Sequence, residues 1–242
     1  MGKLVVFSGA GLSAESGVAT FRDKNGLWEN HRVEDVADFN TWKKNFRLVH
    51  TFYNQRRTQL QTVEPNAAHL EIAKWQQQYE MFNLTQNIDN LLERAGCTNV
   101  YHLHGYLTEM RCVSMSHVGD SYGVCNHVWD IGYNEYDFSP CPKCGNGWVK
   151  PKVVFFHEEA PLYSDLYEIF SSLTIDDVVV VIGTLGNVVP IYSLLFDRPS
   201  YNILCNLEES QYIPDDAFHQ VFYEPATQSL PKVSEILKQR LG

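Results

Sequence analysis

The run VVVVI at 178–182 is apolar and β-branched at every position. A strand of this kind has to be covered on both faces, as strands are inside a parallel sheet flanked by helices. Comparable β-rich runs fall at Leu4–Phe7, Met81–Leu84, Val100–His102, Val153–Phe156, Tyr201–Leu204 and Gln220–Tyr223. Helical patterns separate them. One of these, NIDNLLERAG at 87–96, closes on Gly96, where a helix C-cap glycine would stand. Strands alternating with helices predict an α/β chain built on a doubly wound, parallel, Rossmann-like sheet. A length of 242 residues allows one large and one small domain. The alternation lapses over 25–70, which is mainly helical, and over 108–150, which is rich in Gly, Ser, Asn, Asp, Pro and Cys. Both stretches read as insertions forming a smaller module, helical over the first and, with cysteines at 112, 125, 141 and 144 in the second, zinc-binding. That leaves 1–24, 71–107 and 151–242 as the large domain.

A formal charge of −10 argues against non-specific nucleic-acid binding, which needs a basic surface. No apolar run approaches the ~18 residues of a membrane span. The opening MGKLVVFSGAG turns from its apolar stretch straight into glycines, so it reads as a first strand and not as a signal peptide. A monomer in the cytoplasm, with no nucleic-acid or membrane partner, is expected.

The strand at Leu4–Phe7 leads into GAGLSAESGVATFRD, residues 9–23. Gly9 and Gly11 would let the backbone turn tightly and approach a phosphate, and a helix starting near Ser13–Ala14 would aim its N–H groups there. The third glycine of a G-x-G-x-x-G fingerprint comes late, at Gly17, and no acidic residue stands in the expected ribose position. Taken alone, the motif also reads as a tight strand-to-helix turn with no ligand.

Taken whole, that stretch with the GLW after it resembles the sirtuin family of NAD-dependent protein deacylases. Further segments agree in order: TQNID at 85–89, HLHG at 102–105, VVFFHE at 153–158, IGT at 182–184, NLE at 206–208 and LP at 230–231. The resemblance spans essentially the whole chain. It is strongest to the bacterial cobalamin-biosynthesis-type, desuccinylase-like members, which carry similar GLWE, HRVEDVA, FYN-RR and PNAAHL segments. It implies that NAD is consumed: nicotinamide leaves, the amide oxygen of an acyl-lysine attacks the ribose carbon, and lysine and an O-acyl-ADP-ribose result. Partners would then be acyl-lysine proteins or peptides, and one structural zinc ion is implied. His104 matches the catalytic base, a task suited to neutral imidazole. His102 is a competitor, on the same face if the strand continues. Gln86, Asn87, Ile88 and Asp89 match the nicotinamide and ribose pocket; alternatively, Asn87 caps a helix starting near Ile88 while Asp89 binds. Gly9, Ala10, Gly11, Ser13, Ala14 and Gly17 match the phosphate loop, and Thr20, Phe21, Arg22 and Trp28 the cofactor loop. Gly183 and Thr184 would approach phosphate and ribose, and Asn206, Glu208 and Ala226 the adenosine end. Val154 and Phe156 would meet the substrate backbone. The same pocket would also serve an NAD hydrolase, an ADP-ribosyltransferase or an NAD-binding module without turnover.

Trp42, Phe46, Val49, Tyr53, Arg56 and Leu60 step by 4, 3, 4, 3 and 4, one face of a helix. Arg56 interrupts this apolar stripe, and Arg57 is expected to point elsewhere. Tyr53 and Arg56 match the Tyr-x-x-Arg pair of sirtuins that remove succinyl and malonyl groups; a guanidinium fork grips a carboxylate and the phenol adds a bond. The plainer alternative pairs Arg56 with a distant acid or with water.

Four of the six cysteines lie between 112 and 144. Cys141-x-x-Cys144 forms half of a zinc site and Cys112 opens the other half. Position 115 is methionine, so Cys125, His117 or His127 would complete the set. The chain also departs from the family pattern. His157 replaces a glycine in the substrate segment, Leu185 follows Gly-Thr where serine is usual, and Glu224 replaces a glycine near the adenine.

Overall fold

The computed structural model describes residues 2–19, 27–28, 31–118 and 121–242, with backbone alone at 27–28, 114–118 and 121–124. The chain divides into two compact units. The first comprises 1–20, 64–103 and 160–242, and the second 21–63 and 104–159.

The first unit is built on six parallel strands in the order Gln220–Tyr223, Tyr201–Asn206, Val178–Ile182, Leu4–Ser8, Met81–Thr85, Val100–His102. Period-2 alternation of side chains explains why its central strands read as continuous apolar runs. Leu4, Val6, Val178, Val180 and Ile182 pack on one face with Ile72 and Trp75 of the Ala67–Gln78 helix and Leu230 and Leu237 of the Ala226–Leu241 helix. Val5, Phe7, Val179 and Val181 pack on the other with Leu166 and Phe170 of Tyr163–Ser171 and with Leu195 of Ile191–Leu195. The doubly wound sheet is therefore present, and Gly96, at φ +104°, ends the short Leu91–Arg94 helix as expected.

Some local expectations fail. Val153–Phe156 is not a strand of the parallel sheet. The strand is Val149–Val153, and it lies in the second unit at the edge of a three-stranded antiparallel sheet with Gly105–Cys112 and Val128–Asp130. Edge placement accommodates Pro151, which brings no N–H to a ladder. Residues 108–150 are accordingly richer in sheet than their composition implied, and Ser114–Val118 and Ser121–Cys125 form a further antiparallel pair. The long helix runs Phe46–Thr62, so Trp42 lies in the turns before it, though fully buried. The helix after the first strand is a single turn, Gly11–Ala14, starting before Ser13.

The glycines at that turn are explained by close backbone approach. Gly9 N–H donates to Ile182 O at 2.9 Å and Gly11 N–H to Gly183 O at 2.8 Å. A Cβ on Gly183 would sit 2.5 Å from Leu12 N, and one on Gly11 2.6 Å from Gly183 Cα. Gly183 also has φ +60°. Leu12 and Ser13 N–H groups donate back to Gly9 and Ala10 carbonyls. These N–H groups are thus occupied within the protein and do not all point outward to a phosphate. Gly183→Ala should lower unfolding free energy by about 2 kcal/mol or more in denaturant titration. Gly132→Ala, at φ +58° with nothing within 4 Å of the added Cβ, should cost about 1 kcal/mol. Equal losses would refute the interlock.

Candidate functional site

The two central strands, Leu4–Ser8 and Val178–Ile182, are where the strand order reverses. In such sheets ligands bind outside the carboxyl ends at this point. Gly9–Gly11 form one lip, Gly183 and Thr184 the other. Asn206 and Gln86 hold Thr184 by three bonds. Its N–H donates to Asn206 Oδ1 (3.0 Å), its carbonyl accepts from Asn206 Nδ2 (2.9 Å), and its Oγ1 accepts from Gln86 Nε2 (2.9 Å). Asn206 therefore fixes the lip through both ends of its carboxamide.

Beneath the glycine turn lies a polar network centred on Ser13, whose hydroxyl is buried. Asn66 N–H donates to His69 Nδ1 (3.2 Å), which leaves the N–H of that ring on Nε2, 3.4 Å from Ser13 Oγ. Asn87 Nδ2 also donates to Ser13 Oγ (3.1 Å), and Ser13 donates to Asp89 Oδ2 (2.9 Å). Burial pushes His69 down to about 4, so it stays neutral, and burial pushes the Asp89 carboxyl up. His69 was not singled out from the sequence. Its signal was the N-x-x-H pattern of PNAAHL: Asn66 accepts from Ala68 and His69 N–H groups while His69 accepts from Asn66 N–H, a reciprocal capping box.

Asn87 does not cap the following helix. That bond is made by Asp89, whose Oδ1 accepts from Leu91 N–H (3.2 Å). The strand also does not continue past His102; residues 103 and 104 turn. His102 and His104 are therefore not on one strand face. His102 is engaged on both sides, with Nδ1 2.8 Å from Asn87 O and Nε2 2.7 Å from Glu93 Oε1. His104, half-buried, opens the second unit's central segment, and its carbonyl accepts from Val154 N–H (2.8 Å).

Within the second unit, Tyr53 is fully buried, 5.8 Å from Phe155 in a stacked pair, and burial raises its phenol. The expectation for the two arginines reverses. Arg57 is the fully buried one, donating to Leu107 O (3.1 Å), Asn134 O (3.1 Å) and Asn54 Oδ1. Arg56 is half-buried with its guanidinium 5.1 Å over the Phe52 ring. The stripe failed because i+1 steps drift by 100°, so 56 and 57 straddle the boundary of the buried face.

Val154–Phe156 runs along residues 37–39: Phe156 N–H donates to Ala37 O (2.8 Å) and Phe39 N–H to Phe156 O (3.0 Å). Behind it, the buried Glu158 carboxylate accepts from Lys150 (2.9 Å), Arg111 (2.8 Å) and Phe155 N–H (3.0 Å), and burial lowers Lys150 to about 8. His157 sits at φ +63°, a conformation glycine adopts freely, and its Nδ1 lies 3.0 Å from Asp38 Oδ2. Glu224 is gripped by Lys232 at 2.7 Å, and Leu185 O accepts from Ser210. Glu208 is exposed, and Ala226 opens the last helix. Thr20, Phe21 and Arg22 lie outside the described residues, as do the side chains of Trp28 and His117.

Cys112, Cys125, Cys141 and Cys144 gather in the second unit with all four Sγ atoms within 4.8 Å of one another. Cys112 and Cys144 are 3.6 Å apart, Cys125 and Cys141 4.0 Å. Thiolates on a tetrahedral zinc, each about 2.3 Å from the metal, would be about 3.8 Å apart. Four sulfurs at this spacing fit zinc and leave no coordination position for chemistry. The His127 ring instead stacks on Trp129. Elemental analysis should find one zinc per chain. Cys125→Ser should reduce it and lower the thermal midpoint, whereas retention in that variant with loss in His127→Ala would reassign the ligand.

A second prediction concerns acid. His50 and His69 are both held near 4 by burial, against an ordinary 6.5. The unfolded chain takes up protons that the folded chain refuses, so stability is full above about 6.5 and falls as pH drops toward 4. His69→Gln should flatten that fall in urea titrations; an unchanged slope would count against it.

Residues 9–190 match the model of the Sir2 family. The chain is 43% identical to an NAD-dependent protein deacylase of Helicobacter hepaticus, covering 99% of this chain and 98% of that one. It is 41% identical to the NAD-dependent protein deacylase of Escherichia coli K12, covering 98% and 82%. A solved complex of a Sir2 homologue with NAD superposes with a TM-score of 0.81 at 31% identity, covering 99% and 91%. With that match, the reversed strand order, the glycine interlock and the Ser13 network fall into one frame: this chain belongs to the Sir2 family.

Proposed function

We propose that this chain is an NAD-dependent protein-lysine deacylase that removes acetyl groups and, through Tyr53 and Arg56, succinyl and malonyl groups. The observation that carries the reading is the Ser13–Asn87–Asp89 network, at the strand-order reversal of a Sir2-family sheet. Short polar side chains whose donors and acceptors are already oriented can hold a carboxamide and a ribose without reorganising. NAD is the co-substrate, and acyl-lysine proteins or peptides the acceptors. Nicotinamide would leave, the acyl oxygen would take its place on the ribose carbon, and lysine and O-acyl-ADP-ribose would be released.

His104 is the base in this reading, drawing a proton from a ribose hydroxyl. Its competitor His102 has both ring nitrogens engaged elsewhere. Gly9 to Ser13, Gly183 and Thr184 would border the cofactor, while Val154 and Phe156 would pair with substrate backbone. Arg57 has each of its three nitrogens donating to protein acceptors, so the acyl carboxylate falls to its neighbour Arg56. The cysteine set would hold a structural zinc.

The test is nicotinamide release with NAD alone, with an acetyl-lysine peptide and with a succinyl-lysine peptide of the same sequence. Peptide-dependent release, faster with succinyl, is expected. Release with NAD alone that neither peptide changes would replace the reading with NAD hydrolysis. His104→Ala should abolish turnover and keep NAD binding within a few-fold. Arg56→Met should lose desuccinylation and retain much of deacetylation; equal loss of both would assign Arg56 to the fold.

A further inference from the structure

We infer that His102, anchored by Glu93, is a positioning residue that sets Asn87 for nicotinamide. This rests on the deacylase reading and assigns a role to two residues which that reading leaves unused. His102 ends the Val100–His102 strand and Glu93 lies on the Leu91–Arg94 helix. The imidazole joins them: Nε2 lies 2.7 Å from Glu93 Oε1, and Nδ1 2.8 Å from the main-chain carbonyl of Asn87.

Both of those partners only accept, so the geometry calls for an N–H on each ring nitrogen. An imidazole so arranged is a rigid spacer of fixed length between a helix and a loop. The imidazole is 10% exposed, so water competes little for its two ring nitrogens. The second carboxylate oxygen, Glu93 Oε2, is buried and has no hydrogen-bond partner among the described residues. The carboxylate therefore depends on His102, and a charge-assisted bond of this kind is stronger than a neutral one. Asp89 feels the same pair electrostatically, His102 lowering its pKa and Glu93 raising it.

The contact matters because of where it lands. Asn87 N–H donates to Thr85 Oγ1 (3.1 Å), its side-chain Nδ2 to Ser13 Oγ (3.1 Å), and its carbonyl accepts from His102. Three fixed points define the peptide planes and side-chain direction of one residue outside regular secondary structure. Removing the third frees the Asn87–Ile88 peptide plane to rotate. The carboxamide then loses its aim, although Asn87 and Ser13 remain. A buried histidine filling a gap between strand and helix would affect stability alone. A positioning histidine affects the ligands that Asn87 meets.

The experiment is a double-mutant cycle on the full chain, read as the KM for NAD, the inhibition constant of nicotinamide and the KM of an acetyl-lysine peptide. These constants do not depend on the fraction of active protein. His102→Asn should raise the first two by about tenfold and leave the third within about twofold. Glu93→Gln, which keeps an acceptor for the imidazole, should fall between wild type and Glu93→Ala. In an Asn87→Ala background, His102→Asn should add less than about twofold, because no carboxamide is left to aim. Unchanged NAD and nicotinamide constants, full additivity with Asn87→Ala, or an equal rise in the peptide KM would each overturn the inference. If His102→Asn fails to fold, the Glu93 pair carries the same cycle. Wild type is assayed first. Absence of peptide-dependent nicotinamide release there defeats the deacylase reading, whereas an active wild type with indifferent variants defeats only the role of His102.

Discussion

The interlock of Gly9 and Gly11 with Gly183 is the contact on which the first unit's site depends. Two backbone hydrogen bonds and a set of separations too short for any Cβ bring the ends of the two central strands together. Thr184 and the Ser13 turn are placed by it directly. Asn206 and Gln86 then brace Thr184. The glycines are needed for the protein's own packing before any ligand is considered. That is why a glycine pattern after a strand is weak evidence for a nucleotide on its own.

Around this joint the polar groups have a definite direction. The bond from Asn66 to His69 fixes the tautomer of the imidazole, the tautomer supplies a donor to Ser13, and Ser13 passes its own proton toward Asp89. Each group satisfies the next, so burial of three polar side chains carries little penalty. The arrangement is also preorganised: its donors and acceptors are set by neighbours within the protein. In the second unit, Glu158 does similar work, gathering two cations and an N–H behind the Val154–Phe156 segment.

Much of this was legible in the sequence, and the omissions have physical causes. Two-face burial made the central strands readable, because their apolar runs leave no other arrangement. The antiparallel sheet was missed although Thr108, Met110 and Cys112 alternate with the more exposed Glu109 and Arg111. Glycine, proline and cysteine around it masked a short period-2 signal. Arg57 was misjudged because a helical stripe has a soft edge, and because carbonyl oxygens can take up the donors of a buried guanidinium. His69 escaped notice because its N-x-x-H pattern marks a helix start, and the donor it presents to Ser13 follows only from the tautomer which that cap fixes. The cysteine grouping was readable from 141 and 144, while Cys125 needed the hairpin to bring it near.

The Asn54 carboxamide has two duties. Its Oδ1 accepts from Arg57 and from Tyr136 N–H, and its Nδ2 donates to Tyr136 O. Tyr136 in turn packs with Cys112, Cys125 and Cys141. The helix bearing Tyr53 and Arg56 and the loop beside the cysteines are therefore joined through one side chain. Free energy that ordering of the thiols contributes to that loop is shared with the helix, and such linkage is reciprocal. Whatever steadies that helix face therefore steadies the cysteine loop as well, and a change felt at the thiols is felt along the helix.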